Sequence, residues 1–309
     1  MSTGVLKVLS LDGGGAKGVY TLGVLSELEA KTGKPLCELF DLIFGTSTGS
    51  IIASLIALGF PVDQIRALYA EHVPRVMKPI MPSQKTKALE ALGQEIFGDK
   101  KFDAFKTDVG IVAANWDFET PMVFKSDVKF AYGRKSSFSP GFGVSIRDAV
   151  VASCSAYPFF AKKIVITDKN DQIELIDGGY CANNPTLYAI ADAVHVAQKS
   201  NKELRILSIG CGTYPEPKKS LISVSRYTNL LLSVRLLQKT LEMNTKSMEQ
   251  LRSILHPNVQ TVRINERFSE PEMATDMFES DTKKLNLLVQ RGRASFASFE
   301  DELGNLLEL

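Results

Sequence analysis

Leu39-Phe40-Asp41-Leu42-Ile43-Phe44-Gly45-Thr46-Ser47-Thr48-Gly49-Ser50-Ile51-Ile52-Ala53-Ser54-Leu55-Ile56-Ala57-Leu58 sets a short apolar run, a G-x-S-x-G turn and a helix-length apolar run in succession. Strand, sharp turn and helix form the context of a nucleophile elbow. A strand can reverse into a helix within a residue or two only where Cβ atoms are absent beside the turn. Gly45 and Gly49 supply that room and leave Ser47 at the apex. Its hydroxyl then sits at a helix N-terminus, where free N–H groups and the helix dipole favour negative charge. The motif is short, and Ser/Thr/Gly clusters also mark plain turns and helix caps. Two other stretches decide between these readings.

The first lies upstream. Val5-Leu6-Lys7-Val8-Leu9-Ser10-Leu11 reads as a buried strand running into Asp12-Gly13-Gly14-Gly15-Ala16-Lys17-Gly18. A helix follows to about Glu29, with Leu22, Leu25 and Leu28 on one face and Gly33 as its stop. The chain therefore opens β-α-β-α, the pattern of a mainly parallel sheet with helices packed on it. The glycine loop satisfies G-x-G-x-x-G, the dinucleotide-binding pattern. That use calls for an acidic residue at the end of the second strand, and the Ser47 turn stands there instead. Consecutive glycine N–H groups at a helix N-terminus also form an anion site. Beside Ser47 they make an oxyanion hole, with Lys17 adding positive charge; each donor is worth roughly 3–4 kcal/mol at the transition state.

The second stretch is Asp177-Gly178-Gly179, which closes an apolar strand. A serine hydroxyl needs a base to take its proton. Among the histidines, His72 falls in a surface-type helix, His195 late in an alanine-rich helix, and His256 before Pro257. None is set among Gly, Ser and Asp residues. Asp177, with two glycines keeping its surroundings open, is the better candidate, although Asp-Gly alone is often only a turn.

Between and beyond these stretches, helices are expected over 61–72, 83–97, 146–156, 186–198, 221–255 and 281–299. Strands are expected over 109–114, 122–124, 163–167, 172–176, 204–210 and 259–264. The stretch 74–87 holds three prolines, four basic residues and no acid. It reads as a loop, either solvated with its methionines tucked inward or serving as a lid at a membrane surface. Residues 133–145 read as a mobile loop, and Arg134 and Lys135 as phosphate contacts or solvated surface. In 221–255, Leu230-Leu231-Leu232, Leu236-Leu237 and Leu241 exceed one core stripe, which points to a packing or dimer surface first and a membrane-facing one second.

Composition narrows the class. A net charge of +1 gives no case for a nucleic acid polymer or for global attraction to an anionic membrane. Cys37, Cys154, Cys181 and Cys211 are too scattered for a zinc site or disulfide frame, as in a cytosolic protein. No signal peptide and no span of about 20 apolar residues is evident.

The stretches Asp12–Gly18, Gly45–Gly49 and Asp177–Gly179 resemble, in order, the oxyanion loop, nucleophile elbow and D-G-[GA] motif of patatin-like phospholipases. Ala152-Ser153-Cys154-Ser155-Ala156-Tyr157-Pro158-Phe159-Phe160 and Asn183-Asn184-Pro185 resemble segments flanking the family's aspartate. The likeness covers about residues 5 to 215. Lys17 departs from the more usual arginine, keeping the charge but losing the planar fork. The resemblance implies a patatin-like three-layer α/β/α sandwich with a mainly parallel central sheet. It implies one domain over 1–309, with a catalytic core at about 5–215 and a helical extension at about 220–309. Ser47 would attack a carboxylic ester of a membrane phospholipid while Asp177 accepts its proton. Gly13, Gly14, Gly15 and Lys17 would form the oxyanion hole, and water activated by Asp177 would release the fatty acid. No metal or catalytic cofactor is implied. General likeness to patatin-like effectors of bacterial antiviral systems adds a cyclic dinucleotide activator, with no residue motif for its site. The expected setting is the cytoplasm at the inner membrane surface, in peripheral contact with lipid, with self-association as a homo-oligomer a further expectation. Two rivals stand: an α/β-hydrolase esterase using Ser47, Asp177 and His256 or His195, and a non-catalytic nucleotide-binding module using the Gly13 loop.

Overall fold

Along Val5–Leu11 (β1), Leu6 and Val8 enter one apolar cluster, while Leu9 and Leu11 enter another. That is the two-residue period of a strand buried on both faces, as parallel sheets covered by helices require. The computed structural model describes residues 4–131, 135–216 and 228–309. Arg134, the expected break at 217–219 and the expected helix start at 221–227 lie outside the described residues, as do the side chains of Lys135 and Leu230-Leu231-Leu232.

After β1 come α1 (Gly18–Thr32), α2 (Leu36–Leu39), β2 (Leu42–Thr46), α3 (Thr48–Ala57), α4 (Val62–Met77) and α5 (Pro82–Phe97). The middle of the chain forms β3 (Asp108–Asn115), β4 (Thr120–Lys125), α6 (Ile146–Ser153), β5 (Lys163–Ile166) and β6 (Gln172–Asp177). Then follow α7 (Gly179–Ala182), α8 (Thr186–Lys199), β7 (Glu203–Ile209), α9 (Thr228–Leu255), β8 (Gln260–Ile264), α10 (Thr282–Ser298) and α11 (Glu300–Leu307). Among the described residues the sheet has eight strands in the order β5-β6-β3-β2-β1-β7-β8, with β4 also on β3. The run β3-β2-β1-β7-β8 is parallel. Helices α1 and α3 bury Leu22, Leu25, Ile52 and Leu55 on one face, and α8 buries Ala189, Ile190 and Ala193 on the other. The three-layer arrangement with a mainly parallel sheet is the one expected.

One register detail positions everything that follows. Strand β4 occupies one edge of β3 from Gly110 to Asn115. On the opposite edge β2 pairs in parallel as far as Thr46↔Val112, and β6 takes over antiparallel from Ala113↔Asp177. Two strands thus meet end to end on one edge of a third, with both C-termini facing each other.

Two expectations are corrected. The stretch 74–87 is not a loop: α4 runs through Pro74 to Met77, and α5 starts at Pro82, leaving only 78–81 between them. Proline is tolerated at a first helical position such as Pro82, whereas Pro74 stands inside α4 and forgoes its own backbone N–H bond there. Nor is the chain beyond 220 a helical extension to a core ending near 215. Strand β8 extends the sheet beside β7, and α10 packs along α1. On α9, Leu237 and Leu241 are buried, whereas Leu236, Met243, Leu251, Ile254 and Leu255 face outward, so the excess of leucines is not absorbed by the core.

Candidate active site

Ser47 sits between β2 and α3 with φ +53°, a left-handed backbone that few side chains adopt. The neighbouring glycines are there for contact. A Cβ on Gly45 would lie 2.3 Å from the Gly49 carbonyl oxygen, and one on Gly49 would lie 2.3 Å from that of Leu11. The helix therefore leaves the strand tightly enough to lie against β1, and the Ser47 side chain is pushed toward the end of β6.

There the Ser47 hydroxyl donates to Asp177 Oδ2 at 2.7 Å. The other carboxylate oxygen accepts the Gly179 N–H at 2.7 Å. The end-to-end meeting of β2 and β6 on β3 makes this contact between residues 130 positions apart. Asp177 is 2% exposed and Ser47 8%. Burial pushes the Asp177 carboxyl up to about 6, against the lowering effect of its bonds from Ser47 and Gly179. At neutral pH it is ionised but only modestly below the solution pH, which suits a general base.

Ser153 joins the two strand ends. Its hydroxyl accepts the Ser47 N–H at 2.9 Å and donates to the Val112 carbonyl at 2.6 Å, where the β2–β3 ladder stops. The Asp177 N–H in turn donates to the Ser155 carbonyl. Ser153→Ala leaves two buried backbone groups without partners. It should cost about 1–3 kcal/mol of stability and lower turnover with little change in substrate affinity, as read by thermal melts and steady-state kinetics.

The glycine loop lies against this pair. A Cβ on Gly13 would come 3.2 Å from that of Ser47, and Gly15 lines the same cavity as Ser47 and Asp177. The loop is not a row of three free donors, however. The Gly13 N–H is taken by the Asn183 carbonyl at 2.9 Å, whereas those of Gly14 and Gly15 find no partner among the described residues. The Lys17 ammonium lies 3.9 Å from Glu242 on α9 and 5.9 Å from the centre of the Tyr214 ring. These two contacts turn its ammonium toward α9 and Tyr214.

Arg263, on β8, was not anticipated. It donates to Asp12 Oδ1 at 2.8 Å and to the Ser208 hydroxyl at 2.7 Å, with a second bond to Asp12 Oδ2. Burial raises the Asp12 carboxyl, and the guanidinium pulls the other way. The signal in the sequence is a charged residue between Val262 and Ile264, the two buried residues of β8.

No histidine stands between Ser47 and Asp177, as a Ser-His-Asp triad would need. His195 Nε2 bonds the Lys129 carbonyl at 2.8 Å. His72 lines the far wall of the dyad cavity. Glu71, His72 and Glu95 bring ligand-type atoms within 4.8 Å of one another, with His72 Nε2 4.0 Å from Glu71 and 3.8 Å from Glu95; both glutamates are exposed, and exposed acidic groups alone do not make a metal site.

The cavity beside the dyad is walled by α3, α4, α5 and residues 277 and 278, with Leu55, Leu68, Val76, Leu92 and Phe278 in its lining. It is almost wholly apolar, yet holds only about 60 Å³ of open space. Pockets that take ligands run to roughly 300–1,000 Å³. The open space beside Ser47 is below that range.

Comparison with known proteins accords with these features. A family model described as patatin-like phospholipase matches residues 9–190. A cUMP-AMP-activated phospholipase of Escherichia coli is 57% identical over 303 residues, spanning 98% of this chain and 94% of that protein. A cGAMP-activated phospholipase of Pseudomonas aeruginosa is 29% identical over 218 residues, or 67% of this chain and 62% of that protein. Among solved structures, VipD from Legionella pneumophila superposes over 96% of this chain and 67% of its own, with a TM-score of 0.50 at 13% identity. At that identity the likeness concerns the fold alone.

Proposed function

The chain belongs to the patatin-like phospholipases, and from that premise we propose that Ser47 and Asp177 are its catalytic dyad and that a cyclic dinucleotide switches it on. The observation that carries the chemistry is the 2.7 Å bond from the Ser47 hydroxyl to the buried Asp177 carboxylate. Asp177 takes the hydroxyl proton as Ser47 Oγ attacks the ester carbonyl. The N–H groups of Gly14 and Gly15 stabilise the oxyanion of the tetrahedral intermediate. The intermediate collapses to an acyl-Ser47 and the lysolipid alcohol, which takes the proton from Asp177. Water, deprotonated by Asp177, then attacks the acyl-enzyme and frees the fatty acid.

Regulation is supported by the small volume of the acyl cavity and by the relatives named for nucleotide activation. A phospholipase left open would attack its own cell's membrane. The described residues include no helix long and apolar enough to cross a membrane, and the contact proposed with lipid is a peripheral one. Ile80 and Met81, 62% and 58% exposed between α4 and α5, support such contact beside the cavity wall. Exposed Leu236, Ile254 and Leu255 on α9 support a contact between copies. The inner membrane surface is the proposed place of action.

The test is fatty acid release from phosphatidylethanolamine–phosphatidylglycerol vesicles, with no nucleotide, with cUMP-AMP and with cGAMP. Release is expected with cUMP-AMP and at least tenfold less without nucleotide. Equal release in all three conditions defeats the regulated reading. No release in any of them, with no labelling of Ser47 by a fluorophosphonate probe, defeats the hydrolase reading.

A further inference from the structure

The dyad cavity is narrow and apolar. A second cavity, of about 490 Å³, opens between β4, residues 137–142 and the turn joining β5 to β6. Its size falls within the range of small-molecule sites, and its lining is of another kind. Phe138 and Phe142 supply aromatic faces, Ser139 and Thr167 hydroxyls, Asp168 and Asp171 carboxylates, and Lys169 an ammonium.

Phe142 is held there under strain. Its φ is +55°, between Gly141 at +56° and Gly143 at +76°. A bulky residue in the left-handed region is a rare conformation. The surroundings hold it in place. The Phe142 N–H donates to the Ser139 carbonyl, its own carbonyl accepts the Asp168 N–H, and Lys101 donates to the Gly143 carbonyl. The ring meets Phe124 at 5.8 Å and 78°, yet remains 41% exposed beside the cavity. An exposed aromatic face stacks on any nucleobase. Carboxylates accept from exocyclic amines and ring N–H groups at a base edge, and an ammonium meets a phosphate.

The cavity is also wired to the dyad by the sheet. Met122, in its wall, pairs with Ala113 on β3, and Ala113 pairs on its other edge with Asp177. Val123, also in the wall, pairs with Val112, which pairs with Thr46, the residue before Ser47. Ile173, another wall residue, lies on β6, the strand that ends in Asp177. Two cross-strand rows and one strand thus run from this cavity to the two ends that meet at the dyad.

We propose that this cavity is the site of the cyclic dinucleotide, with a base stacked on Phe142, the base edge read by Asp168 and Asp171, and a phosphate on Lys169. Binding there acts on the dyad through the rows Met122–Ala113–Asp177 and Val123–Val112–Thr46. The assignment rests on the regulated reading above.

Calorimetric titration of cUMP-AMP and cGAMP into wild type, Phe142→Ala and Lys169→Glu tests it, with fatty acid release measured on the same preparations. Both substitutions should weaken the binding of the activating nucleotide, Phe142→Ala by roughly five- to hundredfold. The nucleotide concentration for half-maximal release should rise in parallel. Lys169 lies on an exposed turn, so its variant reports even if Phe142→Ala folds poorly. If wild type binds and both folded variants bind as tightly, the site lies elsewhere while nucleotide control stands. If wild type binds neither nucleotide and its release ignores them, the site and the regulated reading fall together.

Discussion

Asp177→Asn should lose fatty acid release and, at pH 7.5, melt at a higher temperature than wild type. The two effects share one cause. Asp177 is buried at the end of β6, and its carboxyl is pushed up from 3.8 to about 6. In its proposed role of general base it is worth roughly 10²–10⁴ in rate. Asn keeps the shape and both hydrogen bonds: its carbonyl can accept the Gly179 N–H, and its amide can donate to the Ser47 hydroxyl. It cannot take a proton. Ser47→Ala, which removes the nucleophile itself, should cost still more, up to about 10⁶ when such residues act as a unit. Stability runs the other way. Between pH 3.8 and about 6 the folded state holds a proton on Asp177 that the unfolded state has released. Stability from this group therefore falls as pH rises through that window and is flat above it. At pH 7.5 the ionised carboxylate costs up to about 3 kcal/mol relative to its neutral form, and Asn avoids that cost. The melting gap should be small near pH 4 and open to a few degrees by pH 7. In wild type, kcat/KM should fall about tenfold per pH unit below pH 6, since a protonated Asp177 is no base. An Asp177→Asn protein that melts lower than wild type at pH 7.5 would show that the carboxylate is stabilised by its surroundings, and would remove the basis for its poised pKa.

The elbow was readable because close packing leaves few residue choices. Only glycine fits where α3 crosses β1 at Gly49, and that constraint is written locally as G-x-S-x-G. Asp177 was readable for a similar reason, since two glycines follow it on a strand end. The groups that hold the dyad in register were harder to read. Ser153 matters because β2 and β6 stop on the same edge of β3, and no single segment reveals that register. Gly13 looked like a donor from its place in a glycine run, but a backbone N–H has no sequence signature for where it points, and Asn183 takes it. Lys17 looked cationic and near Ser47, yet a long side chain can reach either way, and it reaches α9. The helices through 74–87 were masked by prolines that in fact occupy a last turn, a connection and a first position.

Arg263→Leu should destabilise the protein by about 3–5 kcal/mol, the usual cost of leaving a buried charge without its partner, and should impair turnover through the glycine loop. Asp12 stands at the head of the glycine loop, 3% exposed at its side chain, with Arg263 bonded to both of its oxygens. Strand β8 supplies the arginine from the outer side of β7, 251 residues away in sequence. The pair thus ties the last strand of the sheet to the loop that carries Gly14 and Gly15. Without the guanidinium, Asp12 can escape an unpaired charge only by taking a proton, since burial already raises its carboxyl. The deficit of Arg263→Leu should therefore shrink at pH 5 and widen at pH 8, as read by denaturant midpoints at the two pH values. Arg263→Lys should rescue little, because an ammonium cannot bond both carboxylate oxygens and the Ser208 hydroxyl in one plane. A deficit equal at both pH values would mean that Arg263 acts through packing alone. In that case the loop would be set by β1 and β7 without the ion pair, and turnover should survive the substitution.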